Sequence, residues 1–216
     1  MGLKLDLRVM ELMASRVCHD LISPVGAIGN GLELLEDADG EMAKEALKLS
    51  ANCVRKASAL LEYFRMAYGA AGSGDALRWE SAKTLAAGIV EGGKVTLTWP
   101  DLTADLKPPP GTAKFVLNLV LMASEMLPRG GEVSVSLEPT GGGLKAMATA
   151  NGRDARITEE LAATLAAGAD GVAALSAKTV HGYFTARLAE SLGGRLDVAV
   201  PRPGASVQVS AVLAAA

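Results

Sequence analysis

The chain has 216 residues, half of them hydrophobic but only 4% aromatic, and a formal net charge of -3. A mildly acidic chain lacks the clustered basic face that nucleic acid demands, and it has no run of the roughly 20 apolar residues that a membrane span takes. Its length fits one or two domains, and its core must be built mainly from Ala, Leu, Val and Met. The two cysteines, Cys18 and Cys53, fall in helical patterns, so a reducing cytoplasm is expected rather than a disulfide framework. No signal-peptide pattern opens the chain. Cys18 reads as a small buried apolar side chain.

Two long helical patterns come first. Met10, Ala14, Val17, Leu21, Ile28, Leu32 and Leu35 recur at spacings of three, four or seven. Leu47, Val54, Leu61 and Tyr68 are spaced by sevens, with Ala57 and Phe64 between them. Such spacing paints one apolar stripe along each helix. Glu36-Asp37-Ala38-Asp39-Gly40 reads as the turn, giving an antiparallel helical hairpin. Two helices cannot bury their stripes alone, so the expectation is a homodimer through a four-helix bundle. The alternative is a hairpin packed on its own second domain.

Residues 69–74 are small and read as a flexible linker, dividing the chain into a hairpin at 1–70 and a second domain at 71–216. Val95 to Trp99 alternates like a strand. Pro108-Pro109-Pro110 precedes a helix from about Thr112 to Met126. Strands follow at Glu132 to Glu138 and Leu144 to Ala150, around the turn Gly141-Gly142-Gly143. A short helix around Thr158 to Ala167 leads to a longer one from about Ala174 to Leu192, ended by Gly193-Gly194. Two strands, Arg195 to Val200 and Ala205 to Leu213, close the chain. The fold class is therefore α+β: a mixed or antiparallel sheet with helices on one face, beside the hairpin.

Cys18-His19-Asp20-Leu21-Ile22-Ser23-Pro24 carries the chemistry. At about 100° per residue, His19 lies about 200° from Val17 and from Leu21 and points away from the apolar seam. Arg16 and Ser23 share its face, and Pro24 kinks the helix one turn later. A free imidazole titrates near about 6.5, so much of it is neutral and nucleophilic at pH 7. Phosphoryl transfer needs positioning and charge neutralisation. Arg16 offers positive charge for phosphoryl oxygens, and Asp20 offers an acceptor to hold the imidazole tautomer. The competing reading is a solvated surface histidine. His181, beside Tyr183 and Phe184, reads as structural. Two histidines and two distant cysteines do not make a metal site.

His19-Asp20-Leu21-Ile22-Ser23-Pro24 resembles the H-box of sensor histidine kinases, His-Asp/Glu-Leu-x-x-Pro. Leu117-Asn118-Leu119-Val120-Leu121-Met122-Ala123, with Pro128 and Gly130-Gly131 after it, resembles the N-box of that family's catalytic domain. Ala150-Asn151-Gly152 is similar to its Asp-x-Gly box, and His181 to Val198 to its last helix and strand. The resemblance implies a dimerising hairpin and a Bergerat-type ATPase sandwich. In its terms the magnesium-binding Asn falls on Met122, whose thioether is a poor ligand for a hard cation. The adenine-recognising Asp falls on Ala150, and no Gly-rich lid is recognisable between Asp154 and His181. An intact H-box beside a degenerate nucleotide site resembles the histidine phosphotransferases of alphaproteobacterial phosphorelays.

That resemblance implies a relay: the receiver domain of a CckA-like hybrid histidine kinase gives its phosphoryl group to His19, which passes it to CtrA-like and CpdR-like response regulators. No cofactor is expected in the chain itself, the magnesium residing in the partner receiver. The receiver should dock on Arg16, Asp20, Ile22, Ser23 and Gly26. Arg55, Lys56 and Arg65 are further candidates, each more simply a solvated helix face. Two other functions compete: an ATP-dependent histidine kinase core, and a non-catalytic dimeric scaffold.

Overall fold

A computed structural model describes residues 6–37, 39–73 and 77–215. Helix α1 runs from Leu7 to Asp37 and α2 from Gly40 to Ala67, forming the hairpin that the heptad stripes predict. The turn is tighter than the expected five residues, with helix up to Asp37 and again from Gly40. Ala38 lies outside the described residues. The two helices cross closely at buried Gly31, where a Cβ would overlap the Ser50 side chain. Only a residue without a side chain permits that approach.

The rest is a two-layer α+β unit. Strands β1 (Val95–Thr98), β2 (Gly131–Thr140), β3 (Gly143–Ala155), β4 (Asp197–Arg202) and β5 (Gly204–Ala214) form one mixed sheet in the order β1-β2-β3-β5-β4. Only the β1–β2 pair is parallel among them. Helices α3 (Trp79–Val90), α4 (Thr112–Glu125), α5 (Glu159–Ala167) and α6 (Val180–Ser191) complete the unit. The sequence reading had no helix at α3. Its signal is weak because two of its three buried residues, Ala82 and Ala86 beside Trp79, are alanine. The expected helix from Ala174 begins only at Val180. Gly168–Ala174 is a 3-10 segment, and the Ser176 N–H and the Thr179 hydroxyl close a turn instead, at 3.1 Å.

Helix α4 lies at the centre, and Thr112 to Val120, Met122 and Ala123 are all buried. It is apolar nearly all round because it is covered on both sides. The sheet offers it Val133, Ala146, Ala148, Ala150, Val207 and Val209, all fully buried. The base of the hairpin covers it from the other side with Tyr63, Phe64 and Ala67.

The expected flexible linker is folded over residues 69–73, with Gly72 buried. Ala70–Gly72 forms a 3-10 turn, and a Cβ on Gly72 would meet the Met66 carbonyl. Lys114 donates from Nζ to the Gly69 carbonyl at 2.8 Å, and Asn118 donates from Nδ2 to the Ala67 carbonyl at 2.9 Å. The Ala67 carbonyl is one that a helix end leaves without an internal partner, and the Lys114 cation just past that end also suits the helix dipole. Tyr63 donates its hydroxyl to the Leu117 carbonyl. Three side-chain hydrogen bonds thus tie the end of α2 to α4. Gly74 lies outside the described residues.

Candidate functional site

His19 stands on α1 with 86% of its side chain exposed. The periodicity argument places it there: Val17 packs against the core on the opposite side. Asp20 Oδ1 lies 3.2 Å from His19 Nδ1. Ile22, Ser23 and Gly26 are exposed on the following turn, and nothing lies within 4 Å of where a Cβ on Gly26 would stand. Pro24, inside α1, is buried. Of the five predicted docking residues, these three form an open patch beside the imidazole.

Arg16 differs from the expectation. Its side chain is only 12% exposed, and its guanidinium turns from the open face toward the C-terminal unit. Nη2 donates to Glu125 Oε1 at the end of α4, and Nη1 reaches the Ala177 carbonyl at 3.5 Å. Nε stays 3.9 Å from Asp20 Oδ2. The long stem of arginine lets its head travel from the helix face that spacing assigns to it. The charge expected to meet a phosphoryl group is therefore engaged with two carboxylates of its own chain.

Behind Arg16 lies an aromatic wall. Tyr68 stacks on Phe64 with ring centroids 5.3 Å apart and meets the His181 ring edge-on at 5.8 Å. His181 is fully buried, and neither ring nitrogen has a hydrogen-bond partner among the described residues. Glu125 Oε2 lies 3.7 Å from its Nδ1, too far for a hydrogen bond. Desolvation, reinforced by the nearby Arg16 cation, pushes His181 down to about 3, so it is neutral despite that carboxylate. Burial pushes the Tyr68 hydroxyl up to about 12. The structural reading of His181 stands.

Between Asp154 and His181, where the resemblance would place a nucleotide lid, the chain forms α5, the 3-10 segment and a turn that leans on α1. Arg8 donates from Nη2 to the Leu175 carbonyl at 2.7 Å, from the same edge of α1 as Arg16. Met122 and Ala150 are both fully buried in the core. Among the described residues no three His, Cys, Asp or Glu side chains gather as a metal set.

Glu125 carries no signal in the sequence analysis. An ion pair across 109 positions, from Arg16, leaves no periodic trace. Cys18 is also corrected: its side chain is exposed, because that edge of α1, next to His19, faces no other part of the described chain. Arg55, Lys56 and Arg65 are exposed on α2, and Arg55 donates to its neighbour Asn52.

Comparison with known proteins decides the family. The histidine phosphotransferase C-terminal domain matches residues 79–204. The chain belongs to the histidine phosphotransferase family. This phosphotransferase is 35% identical over 202 residues to the protein phosphotransferase ChpT of Brucella abortus strain 2308, covering 92% of this chain and 94% of that one. A solved bacterial phosphotransferase superposes on it with a TM-score of 0.80 at 31% identity, covering 97% of this chain and 98% of that one. The protein therefore has a phosphotransfer role, with two-component kinases and regulators as its general class of partner.

Proposed function

We propose that His19 is the phosphoryl carrier, accepting from the receiver domain of a CckA-like hybrid histidine kinase and donating to CtrA-like and CpdR-like response regulators. The observation that carries the proposal is the 86% exposed imidazole, held at Nδ1 by Asp20, in a chain of this family. With Nδ1–H donated to Asp20, the lone pair sits on Nε2 and faces solvent. That nitrogen attacks the phosphorus of an aspartyl phosphate in line. The N–P bond forms as the P–O bond to the receiver carboxylate breaks, and the carboxylate leaves with the electron pair. The receiver brings the magnesium that neutralises the phosphoryl oxygens. Ile22, Ser23 and Gly26 form the docking floor, with Asp20 at its edge and Arg16 behind it. Ser23, exposed one turn on from His19 and on the same face, is a further candidate for the chemistry.

The same reading makes the chain independent of ATP. Met122 and Ala150 offer no oxygen where a kinase holds magnesium and adenine, and both are sealed in the core. Residues 1–70 act as the dimerising and phosphotransfer hairpin and 71–216 as the degenerate catalytic-like domain, in the cytoplasm. The homodimer is favoured by exposed Leu32, Leu47, Val54 and Leu61, which no part of the described chain covers. An apolar row of this kind on a helical pair suits a second copy.

The test mixes the protein with a radiolabelled phosphorylated receiver. Label should move to the wild-type chain and not to His19→Ala. Acceptance by His19→Ala at the normal rate ends the proposal. Micromolar affinity for ATP in a magnesium titration would restore the kinase reading.

A further inference from the structure

Glu125 belongs to the C-terminal unit, yet two steps link it to the reacting imidazole. Asp20 has two oxygens with separate duties: Oδ1 faces His19 Nδ1 at 3.2 Å, and Oδ2 faces Arg16 Nε at 3.9 Å. Arg16 in turn donates to Glu125 Oε1 from the outer end of its fork. One guanidinium is thus shared between two carboxylates on two different elements. Its side chain is 12% exposed, so water and salt screen these charges less than on an open surface.

The sharing has a directional consequence. A guanidinium beside a single carboxylate closes on it with both prongs. Without Glu125, only the long 3.5 Å contact of Nη1 with the Ala177 carbonyl would oppose Asp20, and the fork would close on both Asp20 oxygens and draw that carboxylate from the imidazole. Glu125 pulls the fork the other way, and Arg16 Nε stays beyond hydrogen-bond distance of Asp20. No other cation competes for Glu125 among the described residues, since its remaining neighbour, His181, is neutral and walled in by Tyr68.

Building on the reading of His19 as carrier, we infer that Glu125 is a positioning residue for the phosphotransfer reaction. By anchoring Arg16 to the C-terminal unit, it leaves Asp20 free to fix the His19 ring with Nε2 toward the incoming phosphorus. The C-terminal unit thereby takes part in the chemistry without touching it.

Phosphoramidate separates this role from docking, because so small a donor needs no receiver surface. We expect Glu125→Gln to slow His19 labelling by phosphoramidate about tenfold, taking as a guide the low end of what the outer partners of metal-bound histidines carry. Glu125→Asp, which keeps the charge, should recover most of that loss. With a phosphorylated receiver, kcat should fall while KM holds. In the Asp20→Asn background, Glu125→Gln should add nothing, since the path runs through Asp20. Arg16→Lys, which keeps charge but loses the fork, should match Glu125→Gln and provides the same test if that variant does not fold. A wild-type phosphoramidate rate in a folded Glu125→Gln overturns the inference, as does a full added loss on Asp20→Asn or a change confined to KM. His19→Ala in the same assay keeps the two readings apart. If it still takes label, the carrier assignment falls; if it is dead while Glu125→Gln is normal, only the role of Glu125 falls.

Discussion

The two ends of the hairpin contrast sharply. At its base, Tyr63, Phe64, Ala67 and Tyr68 are packed on α4 and α6 of the same chain, and the carbonyls of Ala67, at the end of α2, and Gly69, just beyond it, take donors from Asn118 and Lys114. Along its outer length, Leu32, Leu34, Met42, Leu47, Leu49, Val54 and Leu61 are exposed. One apolar pattern runs through both regions, and only position decides whether the chain covers it. His19 sits on α1 between the two, where the covered base gives way to the open length. The base supplies a fixed platform, and the outer length leaves an apolar row open on the described chain.

That contrast can be broken at several points. Phe64→Ala should cost about 3–5 kcal/mol of folding stability through lost burial and the cavity left behind. Urea melts should show the loss unchanged by protein concentration, because the contact lies within the chain; a concentration-dependent loss would mean the base also depends on a partner. Leu61→Glu acts on the other region. It should raise the dissociation constant of the proposed homodimer by roughly 100-fold, about 3 kcal/mol, as read by sedimentation, with a melting temperature that tracks concentration in the wild type alone. An unchanged sedimentation profile would count against the homodimer.

Asn118→Ala removes the donor to Ala67 and should cost about 1–3 kcal/mol by orphaning a buried carbonyl, seen as a lowered urea midpoint. His181 gives a pH signature of the base. It titrates near 6.5 in an unfolded chain and is pushed down to about 3 in the folded one, by desolvation first and then by Arg16, against Asp20. Glu125 is the other charged group beside it. Between those values the unfolded chain holds the extra proton. The contribution of His181 to stability is therefore complete above about pH 6.5 and is lost as pH falls toward 3, by at most about 1.4 kcal/mol per pH unit. His181→Phe should flatten that acid slope, and an unaltered slope would show that His181 is not what loses stability there. Arg55→Ala, on the exposed face of α2, should change stability by less than about 0.5 kcal/mol, a small effect that marks the edge of the docking question if receiver transfer is equally unchanged.

Sequence alone gave access to the parts governed by local repeats. The heptads predicted both long helices, and a rotation of about 100° per residue placed His19 on the open side. The alternating valines of β2 and the glycines around β3 marked the sheet. Contacts that join distant segments were out of reach. Val17, Phe64 and Tyr68 read as seam residues by their spacing, and spacing cannot say that α4 and α6 would claim them. Arg16 was placed on the correct helix face, yet its head follows Glu125. Residues 69–73 looked flexible because glycine and alanine permit flexibility, while at Gly72 the missing side chain permits close packing on Met66 instead. Helix α3 was hidden by alanines too weakly apolar to announce a stripe.

Gly31 acts as a notch between the two long helices. Its neighbours one turn away on the same face of α1 are Ala27 and Leu35, each carrying a Cβ. Sliding α1 past α2 by one turn, about 5.4 Å, would drive one of them into the place where the Ser50 side chain now sits beside bare backbone. The hairpin therefore has one phase, and His19, twelve residues below the notch on a helix rising about 1.5 Å per residue, stands at a set height along it. Any protein that reaches for that imidazole meets a ruler whose zero has already been fixed.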